Sequence, residues 1–134
     1  QPFQASLWTD RSNYNPGDRL TAHFQVSKNA YVYLFDIDTT GSVSLMYPNI
    51  FSENNYKRAN TTYSLPDNSR YNLTIGGPAG TEQLVLIATP FSLARAAARG
   101  VDAERSLAPR VAALFGYYLV GTGAIVLVLI YWFR

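Results

Sequence analysis

The stretch VAALFGYYLVGTGAIVLVLIYWFR, residues 111–134, constrains this chain more than any other. From Val111 to Phe133 no charged residue occurs, and arginines stand at both borders, Arg110 and Arg134. These 23 uncharged residues exceed the ~20 that an α-helix needs to cross a hydrocarbon core. Tyr117, Tyr118, Tyr131 and Trp132 fall where interfacial aromatic belts lie, and Gly116, Gly121 and Gly123 would let a second helix approach closely. The expectation is therefore a transmembrane helix over 111–133. Two features argue the other way. The cationic excess (Arg95, Arg99, Arg105, Arg110) precedes the segment, although a cytoplasmic C-terminus calls for it afterwards. In addition, GTGA (121–124) reads as a turn and IVLVLIYWF as a strand buried on both faces. The alternative makes GYYLV and AIVLVLIYWFR the final core strands, and a wholly apolar run has no periodicity to decide between the two.

At 134 residues the chain has the length of one domain with a modest core. Charged residues are 15%, against roughly 25% in ordinary soluble proteins. Residues 1–90 carry six Lys/Arg and seven Asp/Glu, so no basic face for nucleic acid emerges. Cysteine is absent, which excludes disulfides, thiolate metal sites and cysteine nucleophiles. The first residue is Gln1 and not Met, from which we expect processing and export.

Residues 1–90 alternate short β-branched and aromatic runs with turn residues about every ten positions, the pattern of a sandwich or barrel. SLWTD (6–10) reads as an edge strand, followed by a turn at Asn15-Pro16-Gly17. LTAHFQV (20–26) puts Leu20, Ala22, Phe24 and Val26 on one face and Thr21, His23 and Gln25 on the other. AYVYLFDID (30–38) is apolar on both sides and predicts a central strand. TTG closes a hairpin into SVSLMYP (42–48). A polar loop follows, with a short strand near Thr61–Leu65, then an alternating strand YNLTIGG (71–77), a glycine loop and the strong strand EQLVLIATP (82–90). That makes about seven strands. FSLARAAARGVDAERSLAPR (91–110) is an Ala/Arg-rich helical linker broken at Gly100 and Pro109.

Three stretches together resemble a known family: PGDRL, then AYVYLFDIDTTGSVSLMYPN, then LPDNSRYNLTIGGPAGTEQLVLIATP. They are similar to the domain of unknown function family 4384, over about residues 15–90. The AYVYLFDID…G…YPN string is the most specific part. The resemblance implies a β-sandwich of exported bacterial envelope proteins, sometimes joined to enzymes, and it brings no catalytic residues. The expected fold is thus all-β: an immunoglobulin-like antiparallel β-sandwich of about seven strands over residues 1–90, the linker at 91–110 and the apolar segment at 111–133.

Few residues offer chemistry. Asp36 and Asp38, at i and i+2, point to one face, where a hard cation such as Ca²⁺ would need more oxygen ligands than TTGS supplies. The plainer account is a strand end with Asp38 bonding the hairpin. His23, the sole histidine, lies on a polar face with no partner placed by sequence. GGPAGTE (76–82) lacks the helix that phosphate loops require and reads as a hairpin turn. NTT (60–62) and NLT (72–74) fit the glycosylation acceptor pattern, which matters only in a eukaryotic secretory setting. Ten tyrosines suggest either cross-strand packing or a binding face for glycan or protein. No catalytic, cofactor or metal residue is expected.

The function expected is non-enzymatic: a cell-envelope protein, a structural or accessory subunit of a larger surface or membrane assembly through an extracytoplasmic sandwich. Its partners would be other envelope or membrane subunits and the bilayer through residues 111–133. The alternative is a soluble secreted module that binds glycan or protein.

Overall fold

The computed structural model describes residues 3–93, 116–120 and 124–133, which form eleven strands and no helix. In chain order these are β1 (Ala5–Thr9), β2 (Arg19–Leu20), β3 (Ala22–Val26), β4 (Ala30–Ile37), β5 (Val43–Tyr47), β6 (Tyr56–Lys57), β7 (Tyr63–Leu65), β8 (Leu73–Thr74), β9 (Glu82–Thr89), β10 (Gly116–Val120) and β11 (Ala124–Phe133). All pairings are antiparallel. One sheet has the order β1-β3-β7. A second runs β10-β11-β9-β4-β5, with β6 also on β4, and β2 pairs β8 separately.

Alternation decides which side chains meet between the sheets. Leu20, Ala22, Phe24 and Val26 are buried while Thr21, His23 and Gln25 are not, as the period of two requires. Leu7, Phe24 and Leu65 from the first sheet join Val32, Leu34, Leu84 and Leu86 from the second in one cluster. Each fully buried aliphatic side chain there contributes about 1.5–3 kcal/mol. β4 and β9 are buried on their other face too, where Tyr33, Val85 and Ile87 form a separate cluster with Leu93. The N–H of Leu93 donates to the Tyr33 hydroxyl at 2.8 Å, which brings the chain beyond Pro90 back over that face.

Turn chemistry sets the corners. Gly17 takes φ 91° after Pro16, and its N–H reaches the Ile75 carbonyl at 2.7 Å, tying this turn to the residue after β8. Gly80 has φ 152°, and a Cβ there would lie 3.1 Å from Thr39 Cγ2, so the GGPAG loop closes on the β4–β5 turn only with glycine. The peptide bonds before Pro48 and Pro66 are cis.

Two expectations need amending. Residues 3–93 hold nine strands and not about seven, because β2 is set apart from β3 and the two-residue β6 is too short to stand out in sequence. YNLTIGG ladders with β2 only at Leu73 and Thr74, and Ile75 beyond them bonds the turn residues Gly17 and Asp18. The backbone of Gly116–Val120 and Ala124–Phe133 is extended, with β11 laddered onto β9 from Leu127 opposite Ala88 to Phe133 opposite Glu82. Among the described residues no helix is long and apolar enough to cross a membrane, which leaves crossing by strands untouched. The helical linker expected at 91–110 lies outside the described residues from 94 onward.

Removing β10 and β11 bares the edge of β9 along seven paired residues. A chain ending at residue 110 is expected to lose its cooperative thermal transition and aggregate. Calorimetry beside the full chain checks this; an unchanged melt would show that β11 adds nothing to the core.

Candidate functional site

The most unusual chemistry sits at the end of the β4–β9 ladder. Asp36 stands opposite Leu84, and Glu82, two residues away on β9, shares the inward face. Glu82 is only 2% exposed. The two carboxyls hydrogen-bond to one another, which requires that one of them carry a proton. Burial is the largest cause, with the Glu82 hydrogen bond and the charges of Glu82 and Asp38 behind it, and together they push Asp36 up to about 8. Leu20, Met46, Leu73 and Ile75 wall a crevice of about 10 Å³ against the pair. Such a space holds about one water, whereas small-molecule sites run to about 300 Å³ and more. The arrangement stores a proton and has no room for an organic substrate.

Asp38 does not join it. Its Oδ1 accepts from the Thr40 N–H (2.8 Å), the Thr40 hydroxyl (2.6 Å) and the Ser42 N–H (3.0 Å), and these bonds, the Thr40 hydroxyl first, hold its carboxyl below the usual range. The two aspartates that sequence put on one face thus split between a turn and a buried pair. Glu82, missed in sequence, replaces Asp38 as the partner of Asp36; the signal was a lone acid opening a strongly apolar strand. Among the described residues no three His, Cys, Asp or Glu side chains gather to hold a metal.

His23 has partners that the sequence did not reveal. Its Nδ1 lies 2.7 Å from Ser64 Oγ across the β3–β7 pair, and its ring stacks on Trp8 across β1–β3, with centroids 5.6 Å apart. Among the described residues no carboxylate bonds the imidazole, so the orienting third group of a hydrolase site is missing there. The tyrosines do not share one face. Tyr14, Tyr47, Tyr63 and Tyr71 pack on the central cluster, and Tyr31 and Tyr33 on the opposite side of the second sheet. Several hydroxyls pin backbone: Tyr47 donates to Asn54 O (2.7 Å), while Tyr63 accepts from the Arg58 N–H (3.0 Å).

The YPN string builds a stapled loop. Tyr47 is fully buried, and Asn49 donates to Met46 O (3.0 Å) while its Oδ1 accepts the Phe51 N–H (2.9 Å). Backbone bonds between Asn49 and Ser52 run in both directions at 3.0 Å. The Phe51 carbonyl accepts from Asn68 Nδ2 (3.0 Å) and Arg70 (2.8 Å), and Asp67 accepts from the Ser52 and Tyr71 hydroxyls. Burial works against these bonds but they outweigh it, so Asp67 is held below the usual carboxylate range; burial and the bond to Asp67 push Tyr71 up to about 12. The result is a rigid tip that presents Ile50, 81% exposed, beside Phe51, whose ring lies 6.4 Å from Tyr71.

Asp36 ionises in the unfolded chain at the ordinary carboxylate pKa, 3.8, but in the folded chain only near 8. The folded chain holds the extra proton between those values, so this pair's contribution is complete below the lower one and declines as pH rises toward the upper. Asp10, Asp38 and Asp67 are shifted downward and act oppositely, losing their contribution in acid. The melting temperature should therefore fall from about pH 5 to pH 8, and Asp36→Asn should flatten that slope. Melts across the range decide; parallel slopes in the two proteins would refute the shared proton. Separately, Asn49→Ala should cost about 1–2 kcal/mol and speed chymotryptic cleavage after Phe51, read by denaturation and timed digestion.

No curated protein and no solved structure matches the chain. One family model does, over residues 13–91, which spans from the turn before β2 to just past β9 and stops short of β10 and β11. The stapled YPN loop, the β4–β5 hairpin and the glycine loop before β9 all lie inside the match, which covers more than half of the chain. The chain accordingly belongs to the family described as "Domain of unknown function (DUF4384)".

Proposed function

We propose that this chain is a non-catalytic, extracytoplasmic module of the cell envelope that joins a larger surface or membrane assembly by docking the Ile50–Phe51 tip on another protein subunit. The observation that carries the reading is the exposure of Ile50 on a loop that six side chains hold in place. A flexible loop would lose conformational freedom on docking, at about 0.5–1.5 kcal/mol per immobilised side chain, and a stapled one has already lost it. Aromatic side chains at the centre of an apolar patch are the usual anchors of interfaces, and Phe51 with Tyr71 supplies them. The envelope setting rests on the family resemblance.

The sheet orders β1-β3-β7 and β5-β4-β9-β11 follow the A-B-E and C′-C-F-G orders of an immunoglobulin-like sandwich. Under this reading β11 is the last core strand, which supports the alternative drawn from the tail. Attachment would then come from protein contacts and not from a helix in the bilayer.

A photo-crosslinking amino acid placed at position 50 in cells should trap one discrete envelope protein. The same group at Asn72, exposed but away from the tip, should trap none. Phe51→Ser should abolish the crosslink while leaving the melting temperature within a few degrees. Equal labelling from both positions would remove the loop from the interface.

A further inference from the structure

We infer that the outward face of the β1-β3-β7 sheet is a binding site for a neutral saccharide chain. This goes beyond the docking of the loop tip and concerns the other sheet. Two rows of side chains cross the face. Trp8, His23 and Ser64 stand opposite one another in the first; Ser6, opposite Gln25, with Thr62 bonded to Gln25, forms the second. The Trp8 indole is 37% exposed although it is the largest side chain available to a core. Its stack on His23, at 28° between planes, and the bond between His23 and Ser64 hold it in place as an aromatic platform. An aromatic ring held this way offers an apolar surface to the C–H face of a pyranose while the hydroxyls around it remain in reach of polar groups.

The second row opens into a groove of about 150 Å³ whose polar lining is Gln4, Ser6, Gln25, Ser27 and Asn60. The lining holds amides and hydroxyls and no charged side chain, so it matches a ligand rich in hydroxyls and without charge. Gln25 is already oriented: its Oε1 accepts from Thr62 Oγ1 at 3.1 Å, and among the described residues its amide nitrogen has no protein partner. Asn60 forms a firm lip. Its backbone has φ 60°, and its N–H donates to Val26 O at 2.8 Å. From the Trp8 row to Gln4, the residue just before β1, is four residues, about 14 Å at strand spacing, which suits several linked sugar rings. The groove is too small to enclose a ligand of drug size, about 300 Å³ and upward, so the chain of rings would lie along the surface.

The test is a ¹H–¹⁵N NMR titration of the full chain with cellotetraose and with the tetramer of N-acetylglucosamine, beside an acidic uronate tetramer. A neutral tetramer should shift the Trp8 indole N–H and the Gln25 and Asn60 side-chain amides at millimolar concentration, and the acidic one should not. Trp8→Ala should weaken binding about tenfold, the effect of losing one aromatic contact, with Trp8→Phe recovering part of it and the melting temperature unchanged in both. Absence of shifts at these groups with both neutral tetramers overturns the proposal. So does preference for the uronate, or binding that Trp8→Ala leaves intact.

Discussion

Everything in this fold hangs on the ladder between β4 and β9. Its seven paired positions run from Tyr31 opposite Thr89 to Ile37 opposite Gln83, and both of its faces are covered. On one side Val32, Leu34, Leu84 and Leu86 enter the space between the sheets; on the other Tyr33, Val85 and Ile87 make a second cluster. A strand pair buried on two faces cannot slip by one residue without exchanging the two apolar sets, and here their sizes differ, aliphatic inside and partly aromatic outside. The β5, β6 and β11 strands all attach to this pair and inherit its register.

The same ladder explains why a carboxyl pair is tolerated at its end. Continuing the inward alternation past Leu34 and Leu84 brings Asp36 and Glu82 into the space between the sheets, where two aliphatic side chains would simply lengthen the core. Two ionised carboxylates that close would repel in a poorly solvated site, so the pair survives by keeping one proton. The crevice beside it ends against Leu73 and Ile75, and this is where the short β2–β8 ladder covers the end of the core. That corner is the least apolar part of the core and the one most sensitive to pH.

Strands long enough to alternate were readable from sequence. Leu20 to Val26 is the clearest, because every second residue is apolar and the residues between are polar. The two-residue β2 and β6 were not, since pairing over two positions leaves no periodic trace and depends on partners brought from elsewhere, as Tyr56 is brought to Tyr31. The tail illustrates another limit: an unbroken apolar run carries neither period, and the edge of β9 on which β11 pairs is encoded in no local stretch. Site chemistry was legible only where it is local. Asp38 and its turn lie within five residues, whereas Asp36 with Glu82 and His23 with Ser64 are separated by 46 and 41 residues and meet only through sheet register.

The YPN end of the string that carries the family resemblance turns out to be scaffolding, and that has a consequence for where function resides. Tyr47 fills the core, Pro48 follows it at a bend, and Asn49 closes the loop through backbone atoms, so all three serve the frame of the loop. What they fix is a position at which any side chain would be held out into solvent, and in this chain Ile50 and Phe51 occupy it. The outward row of Trp8, His23 and Ser64 obeys the same logic, because its spacing is set by the pleat and its chemistry by residues that the core does not need. Residues that build the frame and residues that could recognise something are therefore separate sets, so the frame can be kept while the recognised partner changes.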